Sequence, residues 1–399
     1  MINKRMQALG RERSVIRELF EYGLKRKAQL GEDKVHDFSL GNPSVPAPSE
    51  LSAELSRLID ECDPVALHGY TSAQGASDVR EAIADHIKRE HGFPARSDRI
   101  YMTAGAAAAL TSALTAVVCE GDEVILLTPY FPEYRVFIER CGAKVVEVET
   151  DESFCPDVTA IEAAITERTA AIIINSPNNP SGAVYGEDRI RALADVLKSG
   201  EERFARPIYL IADEPYRELV YDGADVPYVP SYYNDTIVCY SFSKSLSIPG
   251  ERIGYAMVSP RAHDDGAVYE AICGAGRALG FVCAPSLMQR AIPALLGVTA
   301  DLETYDRNRR MLYDELTSYG FYAVKPSGAF YLFLRSPSGD GIELSERAKE
   351  HELLLVPSDS FGCPGYVRIS YCVKTEQIKR ALPAFKRLAE SYGLGGRDE

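Results

Sequence analysis

A lysine and an arginine stand eight residues apart in "CYSFSKSLSIPGERIGY" (239–255), Lys244 and Arg252, with a Pro-Gly bend between them. Lys244 follows an apolar run that climbs to Ser241. Most lysines near a strand end reach for water along an apolar stem, so the rest of the chain must say whether this one does chemistry. Other polar groups recur at the same kind of place. "IYLIADEPYREL" ends its apolar run on Asp213 and Tyr216, and "INSPNNPSGAVY" (174–185) carries Asn179 just past another run. In "TAGAAAALTSAL" (103–114), Gly105 turns the chain into an alanine-rich helix whose first amides, at Ala106 and Ala107, no side chain obstructs. Such a helix start binds anions, phosphate above all. Small residues alone also let a helix pack closely on a sheet.

The elements that must position these residues are legible. Apolar runs at 99–103, 123–128, 144–148, 170–175, 208–212, 236–241 and 254–259 read as seven strands. Several are unbroken and β-branched, as in strands buried on both faces. Helical stretches alternate with them, which predicts an α/β domain on a mostly parallel seven-stranded sheet flanked by helices. After residue 285 the pattern changes to a helix over about 286–319 with a break, strand-like "GAFYLFLR", "LLLVP" and "YVRISYCV", and a last amphipathic helix that Pro383 is expected to kink or interrupt. Residues 1–45, read as one amphipathic helix and a connector, are expected to join residues 286–399 in a smaller α+β domain, with 46–285 as the large one. In an open parallel sheet, ligands sit beyond the carboxyl ends of the strands. Gly105, Asn179, Asp213, Tyr216, Ser241 and Lys244 therefore converge on one edge.

Composition narrows the partners. The chain has 399 residues, 46% hydrophobic and 26% charged, with a formal net charge of −14. That charge argues against nucleic acid, and no apolar run approaches the roughly 20 residues of a membrane span. The N-terminus lacks a signal-peptide core, and nine scattered cysteines without a C-x-x-C pair suit a reducing cytoplasm. The six histidines show no metal-ligand spacing with them, so no metal is expected.

Three motif readings fail. "IYLIADE" looks like a Walker B strand but has no phosphate loop to match. "SFSK" fits S-x-x-K without the S-D-N and K-T-G that family needs. "GAGRALG" has the wrong spacing and no preceding strand for a dinucleotide loop. What remains is an anion site, a buried acid, a lysine and an arginine. Pyridoxal phosphate asks for that set: a lysine for its aldehyde, a carboxylate for its pyridine nitrogen, donors and cations for its phosphate.

In order along nearly the whole chain, "LGNP" (40–43), "GYTSAQG" (69–75), "TAGAAAAL", "PYFPEY" (129–134), "NSPNNPSG", "DEPY" (213–216), "SFSK…R" and "VRIS" (367–370) closely resemble the class I/II aminotransferases of the fold-type I superfamily. The resemblance implies that Lys244 forms the aldimine and shuttles the proton, and that Asp213 pairs with the pyridine nitrogen. Tyr216 and Asn179 would bond the ring oxygen; Ser241, Arg252 and the turn at Gly105, Ala106 and Ala107 would hold the phosphate. Phe131 would stack on the ring, Arg368 and the backbone of Gly41 would take the substrate carboxylate, and Tyr70 would reach the phosphate of a neighbouring subunit in a homodimer.

The implied activity is transfer of an amino group from an L-amino acid to a 2-oxo acid, with 2-oxoglutarate as acceptor. A C–S lyase and a non-catalytic pyridoxal phosphate-binding module are the alternatives. The side-chain pocket is expected from Phe131, Ala107, Phe281 and Val282, with Tyr22 or another N-terminal residue over the top. That set predicts a broad or neutral substrate preference. Aspartate stays open, with Arg277 as the candidate cation for a distal carboxylate.

Overall fold

The computed structural model describes residues 2–11 and 14–395. Seven strands form the large sheet: β1 (Ile100–Thr103), β2 (Glu123–Thr128), β3 (Lys144–Glu149), β4 (Thr169–Asn175), β5 (Tyr209–Asp213), β6 (Thr236–Ser241) and β7 (Gly254–Val258). Their order is β1-β7-β6-β5-β4-β2-β3, and only β7 runs antiparallel to its neighbours. The strands lie within a residue or two of the apolar runs because those runs are buried on both faces. Along β2, Val124 and Leu126 join a core beneath the helix Ala106–Val117, while Ile125 and Leu127 join another beneath the helix Glu187–Phe204. Each fully buried aliphatic side chain contributes roughly 1.5–3 kcal/mol, so a one-residue slip, which would exchange the two faces, is strongly disfavoured.

A second, antiparallel sheet places Tyr331–Arg335 between Tyr366–Ser370 and Tyr322–Ala323, with Val356–Pro357 on the far side of Tyr366–Ser370. The helices Leu302–Ser318 and Thr375–Ser391 close its core around Leu312, Leu332, Ile369 and Phe385. The N-terminal segment is tied there by a parallel pairing of His36–Asp37 with Leu353–Leu354.

Two sequence expectations are corrected, at the N-terminus and at Pro383. The N-terminus is two helices, Lys4–Arg11 and Val15–Leu30, because Ser14 takes an extended conformation and caps the second. The break expected within 286–319 is there: it separates the helices Ser286–Leu295 and Leu302–Ser318, with Gly297 at φ +83° between them and an Asp301 cap restarting the second. The first of them packs on Ser49–Glu61 and buries Met288 and Ile292 with Leu51, Ile83 and Met102. Pro383 does not interrupt the helix Thr375–Ser391. It is exposed, as is Lys379, so the carbonyl it leaves unbonded lies on the water side.

Candidate active site

Strand ends from the large sheet and residues from both termini enclose a cavity of about 300 Å³. Its anion corner starts where β1 ends. Gly105 has φ +82°, and a Cβ there would stand 2.6 Å from the Arg252 guanidinium, so the turn both requires the left-handed region and admits the arginine. The amides of Ala106 and Ala107 open the twelve-residue helix behind it. At the end of β6, Ser241 caps the short helix Phe242–Ser245, and its hydroxyl lies 2.8 Å from that of Ser243. Arg252 donates to the Ala104 carbonyl at 3.2 Å and the Pro249 carbonyl at 2.9 Å. Amides, hydroxyls and a guanidinium on one wall are the donor set a phosphate needs.

Asp213 ends β5 and is 5% exposed. Its Oδ2 accepts from the Tyr134 hydroxyl, with Asn175 Nδ2 at 3.5 Å, while Oδ1 is buried without a partner. Burial pushes this carboxyl up to about 7 against the bond from Tyr134. A buried carboxylate with an open oxygen is costly unless a donor arrives. A protonated pyridine nitrogen is such a donor, so the acid fits the cofactor that the sequence implies.

Lys244 Nζ donates to the Gly41 carbonyl at 2.7 Å. Burial, reinforced by the charges of Arg368 and Arg252, pulls its pKa down to about 8. Arg368 is 2% exposed; it donates to Asn179 Oδ1 at 3.0 Å and the Ser39 carbonyl at 2.6 Å, and its Nε lacks a partner. The rings of Tyr331 and Phe361 cover the guanidinium at 4.6 and 5.2 Å. Close approach also explains Gly41, where a Cβ would stand 2.0 Å from the Tyr331 hydroxyl. That hydroxyl lies 2.9 Å from the hydroxyl of Tyr216.

Of the residues singled out from the sequence, Gly41, Ala106, Ala107, Phe131, Asn179, Asp213, Tyr216, Ser241, Lys244, Arg252 and Arg368 line this one cavity. Gly105 shapes it from behind. Tyr70 is 96% exposed and outside it. Four expected pocket residues are not there. Val282 and Arg277 are exposed, Phe281 offers its carbonyl to Tyr101, and Tyr22 lies beneath Lys349. Ile16 is the N-terminal residue that lines the cavity instead. Sequence reasoning missed Tyr134, Asn175, Ser243 and Tyr331, although each stands inside or beside a quoted motif. Asn175 also accepts from the Asn179 amide at 2.7 Å, joining that loop to β5. Nothing in the spacing says which way such a side chain turns.

A mostly parallel sheet with an anion corner, a buried acid and a lysine at its carboxyl edge defines an enzyme of the fold-type I class. The chain belongs to the aminotransferases of class I and II, whose family model matches residues 33–385. It is similar to a solved amino transferase from Eubacterium rectale, 51% identical with a TM-score of 0.96 over 98% of this chain and 99% of that one. It is 30% identical to the aspartate/prephenate aminotransferase of Thermus thermophilus, over 97% of this chain and 98% of the relative. It is also 30% identical to the probable N-acetyl-LL-diaminopimelate aminotransferase of Bacillus subtilis, over 92% of each. The protein is an aminotransferase; these relatives do not favour the lyase or the non-catalytic module.

Proposed function

We propose that the cavity holds pyridoxal phosphate and that the enzyme transaminates L-amino acids with neutral, largely apolar side chains, using 2-oxoglutarate as acceptor. The observation that carries this reading is one cavity that contains Lys244 and two buried polar atoms without partners, Asp213 Oδ1 and Arg368 Nε. When bound, the cofactor supplies a carbonyl that captures amines and a ring that withdraws electrons from the substrate α-carbon. The protein does the rest. The amides of Ala106 and Ala107, Ser241 and Arg252 hold the phosphate. Asp213 would keep the proton on the ring nitrogen, Tyr216 and Asn179 would donate to the ring oxygen, and Phe131 would pack against the ring. Arg368 grips the α-carboxylate through a planar fork, a geometry a lysine cannot offer, with Gly41 beside it. Lys244, partly unprotonated near neutral pH, takes the α-proton and returns it.

Around the substrate side chain the cavity offers Ile16, Leu40 and Phe131, and among the described residues its cations are Lys244, Arg252 and Arg368, each already assigned. An apolar pocket discriminates by only about 1–3 kcal/mol per methylene, hence a broad range. The names of the relatives favour a second reading, in which aspartate is the donor. Tyr70, exposed on the chain, supports a homodimer in which it reaches the partner's phosphate. We place the enzyme in the cytoplasm; among the described residues no helix is long and apolar enough to cross a membrane.

Incubation with a single amino acid tests the chemistry. Stoichiometric conversion to pyridoxamine phosphate is expected, and continuous release of pyruvate and ammonia would refute it. kcat/KM across alanine, aspartate, methionine, phenylalanine and tyrosine tests the substrate. A preference for aspartate of about a thousandfold, some 4 kcal/mol, would replace the neutral reading.

A further inference from the structure

A second cavity, of about 230 Å³, lies behind the same two segments that build the active site. Asp213 and Tyr216 face the first cavity, and Arg217 and Glu218, next in sequence, line the second. Lys244 faces the first, while Phe242 and Ser245 of the same short helix line the second. The helix Ser77–His91, Leu295 at the end of the helix Ser286–Leu295 and the loop 296–298 complete it.

Its lining is aromatic, with one buried acid that lacks a full set of partners. Tyr228 stacks on His91 with ring centroids 4.5 Å apart and planes 6° from parallel, and Tyr240 stacks on Tyr255 at 5.1 Å. Glu218 accepts from the Tyr240 hydroxyl at 2.6 Å through Oε1, but Oε2 is buried with no partner. The Tyr228 hydroxyl is also buried and unpartnered. Arg217 leaves no free cation, since it forks onto Glu214 at 2.6 and 2.8 Å and donates to the carbonyls of Val226 and Pro227. The two histidines of the wall are neutral, because burial lowers His86 and brings His91 down to about 4. Glu218 is then the acid left facing the cavity; burial raises its carboxyl above the ordinary range, and an arriving cation would ionise it.

We propose that this cavity is a second ligand site, selective for a small planar organic cation: an amidinium or protonated heterocyclic amine on an aromatic body. The Tyr228 ring already carries His91 and the Arg217 guanidinium, the latter 5.2 Å from its centroid, so the flat cation is assigned to the Tyr240–Tyr255 side, where aromatic π faces stabilise charge. Its N–H groups satisfy Glu218 Oε2 in a charge-assisted bond and meet the Tyr228 hydroxyl. The same carboxylate excludes anions, so the 2-oxo and amino acid carboxylates that suit the first cavity are rejected here.

Calorimetric titration of the holoenzyme with benzamidine, benzamide and benzoate tests this. Benzamidine is expected to bind once per chain with sub-millimolar affinity, benzamide at least about tenfold more weakly for want of charge, and benzoate not at all. Glu218→Gln should weaken benzamidine by about tenfold or more, and Arg368→Ala, in the other cavity, should leave it unchanged. Should Glu218→Gln fail to fold, Val298→Trp fills the cavity from its loop side and should abolish binding. Absence of benzamidine binding, equal binding of benzoate, loss on Arg368→Ala, or unweakened binding in Glu218→Gln or Val298→Trp would overturn the proposal.

Discussion

Lys244 and Asp213 are both held away from their ordinary ionisation by burial, and the two shifts have separate consequences. With a pKa near 8, roughly a quarter of the Lys244 amine is unprotonated at pH 7.5, against about a thousandth at the ordinary value. The rate at which apoprotein captures pyridoxal phosphate should therefore rise with pH and level off just above 8. A rate still climbing past pH 10 would show an ordinary lysine. Lys244→Ala should lower transamination by at least the 10²–10⁴-fold typical of a lost general acid–base, measured as single-turnover conversion. Asp213 has the opposite pH signature in the apoprotein. Its folded pKa is raised from 3.8 to about 7, so its contribution to stability is fully present below about 4 and is lost as pH rises through about 7. Urea unfolding of the apoprotein between pH 4 and 8 should show that decline, and Asp213→Asn should flatten it. Tyr134 donates to the same carboxyl, and Tyr134→Phe should cost about tenfold in kcat by leaving Oδ2 short of a donor.

Elements were readable where burial on both faces imposed unbroken apolar runs, which is why the seven strands of the large sheet stand almost where the sequence puts them. They were misread where a cap or a solvent-facing carbonyl decides, as at Ser14 and Pro383. One turn matters most to the site. Gly105 combines a positive φ with the Arg252 contact, so Gly105→Ala meets both backbone strain and a displaced guanidinium. Strain of this kind costs about 1–3 kcal/mol, and equilibrium dialysis should show pyridoxal phosphate held roughly tenfold less tightly, with secondary structure unchanged. Wild-type retention would mean that the corner tolerates a side chain and that Arg252 is not braced by this turn.

At the scale of the whole molecule the testable point is whether one chain is enough. Tyr70 is almost fully exposed and lies outside its own cavity. If it serves a neighbour, mixing Tyr70→Phe protomers with Lys244→Ala protomers should raise activity above either alone, because some mixed sites then carry both Lys244 and Tyr70. No recovery on mixing, or an active monomer by sedimentation, would remove the shared-site reading.

The sequence by itself determined the fold class, because periodicity reports burial. It also determined about half of the cavity's lining, partly from polar residues at strand ends and partly, as for Gly41, Phe131 and Arg368, from the resemblance of its ordered motifs to the class I and II aminotransferases. From Gly41 to Arg368, eleven of the residues it singled out meet in one place. Only the tertiary structure decided which neighbours turn inward. Tyr134 reaches Asp213 across 79 positions, and Tyr331 reaches Tyr216 across 115. Likewise Ile16 rather than Tyr22 enters the cavity, and Arg277, Phe281 and Val282 stay out of it. Such choices depend on which side chain fills the space left by residues far away in the chain, and no local pattern of spacing encodes that.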